Sequence, residues 1–562
     1  MGRRLTRPGV KRTLGVAFLL AIGWLYVGLR VFDLQAVQAS ELESQALGQR
    51  FRQVELAADR GAILDRNGRE LAITVDASTI YANPSEIPDP GAVAEVLSAV
   101  LGIPRGKLVE DLSKESSFVY LARKVDPKIA DTVTNLKLPG TEQRIPGIYV
   151  LSEAARAYPA GPLAAQVLGF VGIDNEGLEG LELTYEETLR GTPGMLEFER
   201  ARDGKIIPQA DFTRTEAIPG QDVVTSLDSE IQFFVEQRVA QALTETGAKA
   251  VSAVVLDTDT FEILAMASAP TFDPRAIDTT EAEHRRNRAV TDTYEPGSTQ
   301  KLITVSAAIE EGVVSPDTEF VVEDRMTVVD REYRDYKPHE TWVLSTSDIV
   351  TRSSNVGTIH IWEKLGDERL EEYLRRFGLG FPTGLVFPGE SRGVVRPVSE
   401  WCDSCGASTS IGYRVAVTPL QMTAVFATIA NDGVRLTPSL IRDAPSSEPV
   451  DVVTAATAET MRSMLARVVA EGTGKAAAVR GYAVGGKTGT TRIFDTSLGE
   501  YGDDVMASFI GIGPIADARM AVGVFVDSPQ APENPTGGDV AAPVFADIMQ
   551  FSLHRLGIGA TQ

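Results

Sequence analysis

Tyr294-Glu295-Pro296-Gly297-Ser298-Thr299-Gln300-Lys301 is a Pro-Gly turn that runs straight into a helical pattern, with a serine and a lysine three positions apart. Leu302, Val305 and Ile309 recur at helical spacing and Gly312 is a natural stop, so one helix is predicted from Ser298 to Glu311. Residues i and i+3 share a helix face. A serine hydroxyl is a poor nucleophile at neutral pH and needs a neighbour to take its proton. An amine serves when burial or nearby positive charge lowers its pKa. Lys301 is therefore the candidate base for Ser298. Alone, S-x-x-K also fits an ordinary helix with a solvated lysine, and two later stretches decide between the readings.

The second stretch, Thr351-Arg352-Ser353-Ser354-Asn355-Val356-Gly357, lies between a short helical segment that starts near Ser345 to Asp348 and a second helix over Val356 to Lys364. In a loop between helices Ser353 can relay a proton, and Asn355 can donate to a substrate carbonyl and accept from an ammonium. The third, Val484-Gly485-Gly486-Lys487-Thr488-Gly489-Thr490, reads as a strand whose glycines let another backbone lie alongside. Lys487 supplies a positive charge that can bind a carboxylate and depress the pKa of Lys301. Taken singly, these are a helix-breaking turn and a solvated strand lysine. Together and in order, S-x-x-K, S-x-N and K-T-G favour the catalytic reading of all three.

At 562 residues the chain is long enough for two or three folded units. Its net charge of −23 argues against a nucleic-acid partner, which would need clustered Lys and Arg on the working face. The positive charge that matters comes first: Arg3, Arg4, Arg7, Lys11 and Arg12 precede any acidic residue, and Thr13 to Leu29 then runs uncharged. That is the short end of the ~17 to 25 residues a span needs, but Arg30 can snorkel while Val31 and Phe32 extend it. The basic flank puts the N-terminus in the cytoplasm. A cleaved signal peptide, with Val37-Gln38-Ala39 as cleavage site, is the competing reading; the apolar run exceeds the ~7 to 15 residues of a typical h-region, which favours a retained anchor. Either way the rest of the chain lies where disulfides persist.

Beyond the anchor, Ala39 to Leu56 is polar, and Arg60 to Ala72 reads as a structural hairpin turning at Asn67-Gly68 and carrying ion pairs. Gly91 to Leu112 reads as helical on either side of a turn at Gly102 to Gly106. A polar connector from Arg202 to Glu216 ends in Ala217-Ile218-Pro219-Gly220. Val223 to Leu227 then reads as a strand and Ser229 to Glu245 as a helix. Ala253 to Leu256, Ile263 to Ala267, Ala483 to Thr490, Ala507 to Ile512 and Met520 to Val526 are further strands, and Val540 to Leu556 is a closing helix. The fold class is α/β (α+β): a sheet with helices packed on it, interrupted by a mostly helical insert.

The three motifs, in this order, resemble those of penicillin-binding proteins and serine β-lactamases. The whole chain is most similar to class B penicillin-binding proteins, and among them to the division-specific septal transpeptidase. Four less specific stretches share the likeness: Arg60 to Ala72, Arg156 to Glu182, Ser410-Ile411-Gly412-Tyr413 through Gln421, and Gly537-Gly538 with Ala541 to Phe545. The resemblance implies a transpeptidase fold with a central antiparallel sheet and a helical subdomain, after an elongated pedestal and one transmembrane helix. It divides the chain into a cytoplasmic tail (1–12), an anchor (13–32), a pedestal of the dimerisation type (33–215) and a transpeptidase domain (216–562). It implies that the penultimate D-Ala of a peptidoglycan stem peptide acylates Ser298, with Lys301 as base and Ser353 assisting proton transfer. Asn355 would hold the substrate amide, Lys487, Thr488, Gly489 and Thr490 would line the site for the terminal carboxylate, and the backbone N–H groups of Ser298 and Thr490 would form the oxyanion hole. No metal or cofactor follows. Implied partners are β-lactams as inhibitors, a membrane-embedded glycan-strand polymerase and division proteins, with the catalytic domain outside the plasma membrane.

Two positions depart from the family pattern: Arg414 stands where glycine is common and Thr491 where a smaller residue is. Cys402 and Cys405 have no counterpart in it; a disulfide is the blander reading and half a zinc site the other, with the four histidines scattered. The elongation-specific transpeptidase is the alternative function, and a membrane-anchored serine β-lactamase a more distant one. A bifunctional glycosyltransferase would need a second catalytic domain, and a β-lactam sensor an output module, and the sequence offers neither.

Overall fold

The computed structural model describes residues 8–38, 51–199, 213–444, 448–495 and 499–560. The first residues of the expected tail, most of the polar stretch Ala39 to Leu56 and most of the connector Arg202 to Glu216 lie outside them. The chain divides into two compact units, Met1–Asp59 with Gly191–Pro219, and Arg60–Arg190 with Gly220–Gln562.

The larger unit is built on a five-stranded antiparallel sheet in the order Ile263–Ala269, Ala250–Asp257, Met520–Asp527, Glu500–Gly513, Gly485–Asp495. Both faces are covered, so its strands read as nearly unbroken apolar runs. Val251, Ala253 and Val255 meet the helices Ser229–Thr246 and Ala542–Arg555 through Val235, Val239, Phe545 and Ile548. Val254 and Leu256, on the opposite side of the pleat, join a core with Leu302 and Val305 of the Lys301–Glu310 helix, Phe426 of Pro419–Ala430 and Leu465 of Ala455–Ala470. The Ser229 helix starts where Asp228 accepts from the backbone N–H groups of Glu230 and Ile231, and it ends at Gly247, whose φ of 60° is left-handed.

The insert between these strands holds helices Thr346–Arg352, Asn355–Leu365 and Asp367–Arg376, but also two short hairpin-like pairs, Glu319–Val322 with Trp342–Ser345 and Arg325–Val328 with Arg331–Arg334. Those four strands are new relative to the sequence reading. Val223–Val224 is shorter than predicted and pairs in parallel with Ile63–Leu64, outside the central sheet.

In the same unit, Glu70–Ala82 pairs along ten residues with Ile148–Ala157, and its other edge with Val119–Val125. Helices Pro90–Leu101, Arg105–Leu112 and Pro127–Thr134 bury Val93, Leu97, Leu108 and Val133 against it. The hairpin at Asn67-Gly68 forms as read. The buried Asp65 carboxylate accepts from the N–H groups of Asn67 and Arg69 at 2.7 and 2.9 Å and from Ser229 Oγ at 2.6 Å. Burial opposes ionisation of Asp65, yet these hydrogen bonds hold its pKa below the usual carboxylate value.

The smaller unit contains a 25-residue helix, Pro8–Phe32, and a three-stranded antiparallel sheet of Phe51–Leu56, Gly194–Glu199 and Thr213–Thr215. At ~1.5 Å per residue the helix is about 37 Å long, enough for the ~30 Å hydrocarbon core of a bilayer. Leu14, Phe18, Leu19 and Trp24 are exposed along it, which fits a single-pass membrane anchor.

Candidate active site

Pro296 and Gly297 bring the chain into the site, and the predicted helix divides there: Gly297–Gln300 is a 3₁₀ turn and the α-helix begins at Lys301. The cause is tertiary. Gly297 has φ +53°, its N–H donates to Gly412 O at 3.0 Å, and a Cβ on it would lie 2.1 Å from Thr491 Oγ1. Thr491, one of the two departures from the family pattern, is thus buried against this turn. Ser298 is half-buried between the buried Gly297 and Thr299.

Lys301 lies one helical turn on and is buried. Its Nζ donates to Ser353 O at 2.7 Å and Asn355 Oδ1 at 2.7 Å, with Ser353 Oγ at 3.4 Å. Its hydrogen bonds run to the S-x-N turn, not to Ser298; catalytic hydrogen bonds often close only when substrate is bound. Ser353 ends the Thr346–Arg352 helix in a left-handed conformation, φ 60° and ψ 37°, costly for a residue with a Cβ. Ser354 then caps the next helix, accepting from Gly357 N at 2.9 Å. Asn355 is fixed at both ends, since its Nδ2 donates to Arg334 O at 2.8 Å while Oδ1 faces the ammonium.

Lys487 comes from the edge strand Gly485–Asp495, is also buried, and donates to Ser353 Oγ at 2.8 Å and Thr488 O at 3.2 Å. Two lysines therefore converge on one serine hydroxyl. Burial pushes Lys301 down to about 7, against the opposing pull of the Asp335 carboxylate. Burial and then the charge of Lys301 push Lys487 well below an ordinary lysine. The expectation that Lys487 depresses Lys301 is thus amended: burial lowers both, and the repulsion is felt at Lys487, while the charge that acts on Lys301 is Asp335, which opposes the fall.

Thr488 and Thr490 fall on the other side of the strand pleat from Lys487. Thr488 Oγ1 is 2.8 Å from Thr473 Oγ1, and Thr490 Oγ1 accepts from Gly537 N at 3.0 Å. Between them a Cβ on Gly489 would lie 2.4 Å from Ser508 Oγ and 3.0 Å from Thr299 Cγ2, so this strand packs directly on the Ser298 turn. The structure thus gathers Ser298, Lys301, Ser353, Asn355, Lys487 and Gly489, while Thr488 and Thr490 are engaged with Thr473 and Gly537.

Sequence reasoning missed Asp335, a buried carboxylate that accepts from Ser354 Oγ at 2.7 Å, from the N–H of Asn355 and from the N–H of Val356 at 3.1 Å. Nothing in its local sequence marks it. Glu295 was missed too: it accepts from Arg414 N at 2.7 Å and from Tyr501 OH at 2.9 Å, and burial raises its pKa. Arg414, the other departure, sits there at φ +66°. Cys402 and Cys405 form a disulfide at the start of the Cys405–Ser410 helix, and among the described residues no His, Cys, Asp and Glu cluster is arranged for a metal.

Residues 251–550 match the penicillin binding protein transpeptidase domain, and residues 55–225 the penicillin-binding protein dimerisation domain. Penicillin-binding protein PbpB of Mycolicibacterium smegmatis is 35% identical over 591 residues, covering 97% of this chain and 90% of that protein. The peptidoglycan D,D-transpeptidase FtsI of Escherichia coli K12 is 32% identical over 554 residues, again covering 97% and 90%. The crystal structure of penicillin binding protein 3 from Mycobacterium tuberculosis complexed with aztreonam superposes with a TM-score of 0.71 at 32% identity, covering 91% of this chain and 98% of that one. Fold and matches together define a serine-type transpeptidase. The chain belongs to the penicillin-binding protein family, in the class B arrangement of a transpeptidase domain preceded by a dimerisation domain.

Proposed function

We propose that this transpeptidase cross-links peptidoglycan stem peptides during septal wall synthesis through an acyl-enzyme on Ser298. The observation that carries the reading is the half-buried Ser298 one helical turn before Lys301, a buried lysine held near pKa 7 and oriented by Ser353 and Asn355. Neutral Lys301 takes the proton as Ser298 Oγ attacks the carbonyl carbon of the penultimate D-Ala. The C–N bond to the terminal D-Ala breaks, and the departing amine receives a proton through Ser353. An acceptor amine on a second stem peptide then attacks the ester and gives a proton to the neutral lysine, which passes it to Ser298 Oγ as the C–O bond breaks, restoring the serine hydroxyl and the free amine of Lys301. Asn355 holds the substrate amide, and Lys487, Thr488 and Thr490 receive the terminal carboxylate once the two threonine hydroxyls turn from Thr473 and Gly537. The N–H groups of Ser298 and Thr490 stabilise the oxyanion.

The domains divide at about residue 215 into pedestal and catalytic parts, with residues 1–12 cytoplasmic, 13–32 in the plasma membrane and the remainder outside it. A membrane-embedded glycan-strand polymerase and division proteins are the partners, because cross-linking needs strands that this chain does not polymerise. β-lactams, which mimic the acyl donor, inhibit by acylating Ser298. The septal role is supported by the likeness along nearly the whole chain to the peptidoglycan D,D-transpeptidase FtsI of Escherichia coli. The test supplies the full-length chain in membranes with nascent glycan strands bearing pentapeptides. Cross-linked dimers and free D-Ala are expected, and neither with Ser298→Ala. Mid-cell recruitment of a fluorescent fusion is expected in growing cells, and a uniform lateral pattern would replace the septal role with an elongation role.

A further inference from the structure

We propose that Asp335 is the positioning residue of this site: its carboxylate locks the Ser353–Asn355 turn against Lys301 and is the counter-charge that bears on Lys301. The inference rests on the reading of Lys301 as the base. Asp335 directly follows the Arg331–Arg334 strand, and its N–H donates to Asp324 O at 3.0 Å, so the hairpin fixes where its side chain goes. Three donors of the S-x-N segment converge on its two oxygens: Ser354 Oγ, Asn355 N and Val356 N. The two N–H groups are at the start of the eleven-residue helix Asn355–Leu365, where a negative charge is favoured by the unsatisfied amides and the helix dipole. The same strand end holds Asn355 Nδ2 through Arg334 O. One short segment thus fixes the backbone and the side chain of Asn355, and with them the left-handed Ser353 between the two lysines.

Behind the carboxylate lies His339, buried and stacked on Trp342 with ring centroids 3.5 Å apart, with Arg352 over the far ring at 4.8 Å. Its Nε2 is 3.1 Å from Asp335 Oδ2 and its Nδ1 2.6 Å from Glu340 O. The Nδ1 contact with Glu340 O and the stack on Trp342 hold the ring against the carboxylate that anchors the turn. The charged groups that bear on Lys301 are Asp335 from the hairpin end and Lys487 from the edge strand, with the His339 ring packed behind Asp335. Asp335 favours the Lys301 ammonium and restrains the fall that burial imposes. A residue that only capped a helix would stabilise the turn and leave the protonation of Lys301 alone.

The experiment follows acylation of the full-length chain by fluorescent penicillin from pH 5.5 to 10. Asp335→Asn should lower the plateau rate at least ~10-fold, because the turn loses its anchor. It should also move the rising limb to lower pH by about one unit, because the ammonium has lost its counter-charge. Ser354→Ala, which removes one hydrogen bond and no charge, should lower the rate with the limb in place. Asp335→Ser, which also removes the charge, should move the limb in the same direction as Asp335→Asn. A limb for Asp335→Asn that coincides with the wild type overturns the proposal, and if that variant does not fold, a coincident limb for Asp335→Ser does so. Lys301→Arg in the same series keeps the two readings apart: undiminished labelling removes the base itself, while lost labelling with unmoved limbs removes only the role of Asp335.

Discussion

Two clusters of buried charge lie in the larger unit, and they are built on opposite plans. Around the Arg60 hairpin every ion has a counter-ion. Arg60 meets Glu182 at 2.7 Å and Glu186 at 2.6 Å, Arg156 meets Glu182 at 2.7 Å and Gly61 O at 2.7 Å, and Arg60 Nη2 also reaches Glu182 O. Around Ser353 two ammonium groups share one hydroxyl, and the carboxylate that bears on them, Asp335, is occupied by the S-x-N turn. A balanced cluster keeps its charges, and removing one member leaves an uncompensated ion in low dielectric. An unbalanced cluster sheds a proton instead, which is how a lysine becomes a base near neutral pH. The contrast separates scaffold from chemistry without reference to any motif.

The contrast breaks first at Lys301. Lys301→Arg keeps a cation that cannot deprotonate, and acylation by penicillin, followed by gel fluorescence, should fall by ~10² to 10⁴-fold, as expected for loss of a general base. In the hairpin cluster, Glu182→Gln keeps the shape and leaves Arg60 and Arg156 without their shared carboxylate. Denaturant unfolding should show a loss of about 3 to 5 kcal/mol, while the folded fraction acylates at the wild-type rate. If Glu182→Gln instead slowed acylation without loss of stability, the division between scaffold and chemistry would be wrong.

A smaller effect sharpens the comparison from the other side. Lys301 has a folded pKa of about 7 against 10.5 in a free chain, so between those values the unfolded state binds more protons and stability falls as pH drops. The penalty is complete below about pH 7. Lys301→Met should therefore be more stable than the wild type at pH 7, by about 1 kcal/mol or more, and the gain should vanish by about pH 10.5. A matching substitution in the hairpin cluster should only destabilise.

Much of this was legible in the sequence because it is local. Short, nearly unbroken apolar runs gave the central strands, and the hairpin of Asn67-Gly68 follows from turn chemistry. The three motifs lie on a helix start, an interhelical turn and a strand, as read. What was not legible depends on distant partners. The helix from Ser298 splits at Lys301 because Gly412, far along the chain, closes on Gly297. The strands Glu319–Val322 and Trp342–Ser345 are too short for a periodic signal. Asp335 is one carboxylate among many until the hairpin delivers it to a helix start. Burial and the charge of Lys487 were both expected to lower Lys301, and only the fold shows that burial dominates and that a carboxylate, Asp335, opposes it.

The central claim is that Ser298 is the acylated nucleophile and Lys301 its base. Time-resolved mass spectrometry of the intact chain with penicillin, followed by peptide mapping, tests it most directly. One penicillin per chain on the peptide containing Ser298 is predicted, persisting long after free drug is removed, absent in Ser298→Ala and lost in Lys301→Arg. An adduct on another residue, or undiminished labelling of Lys301→Arg, would contradict the claim, and an adduct that hydrolyses within seconds would make the chain a β-lactamase instead.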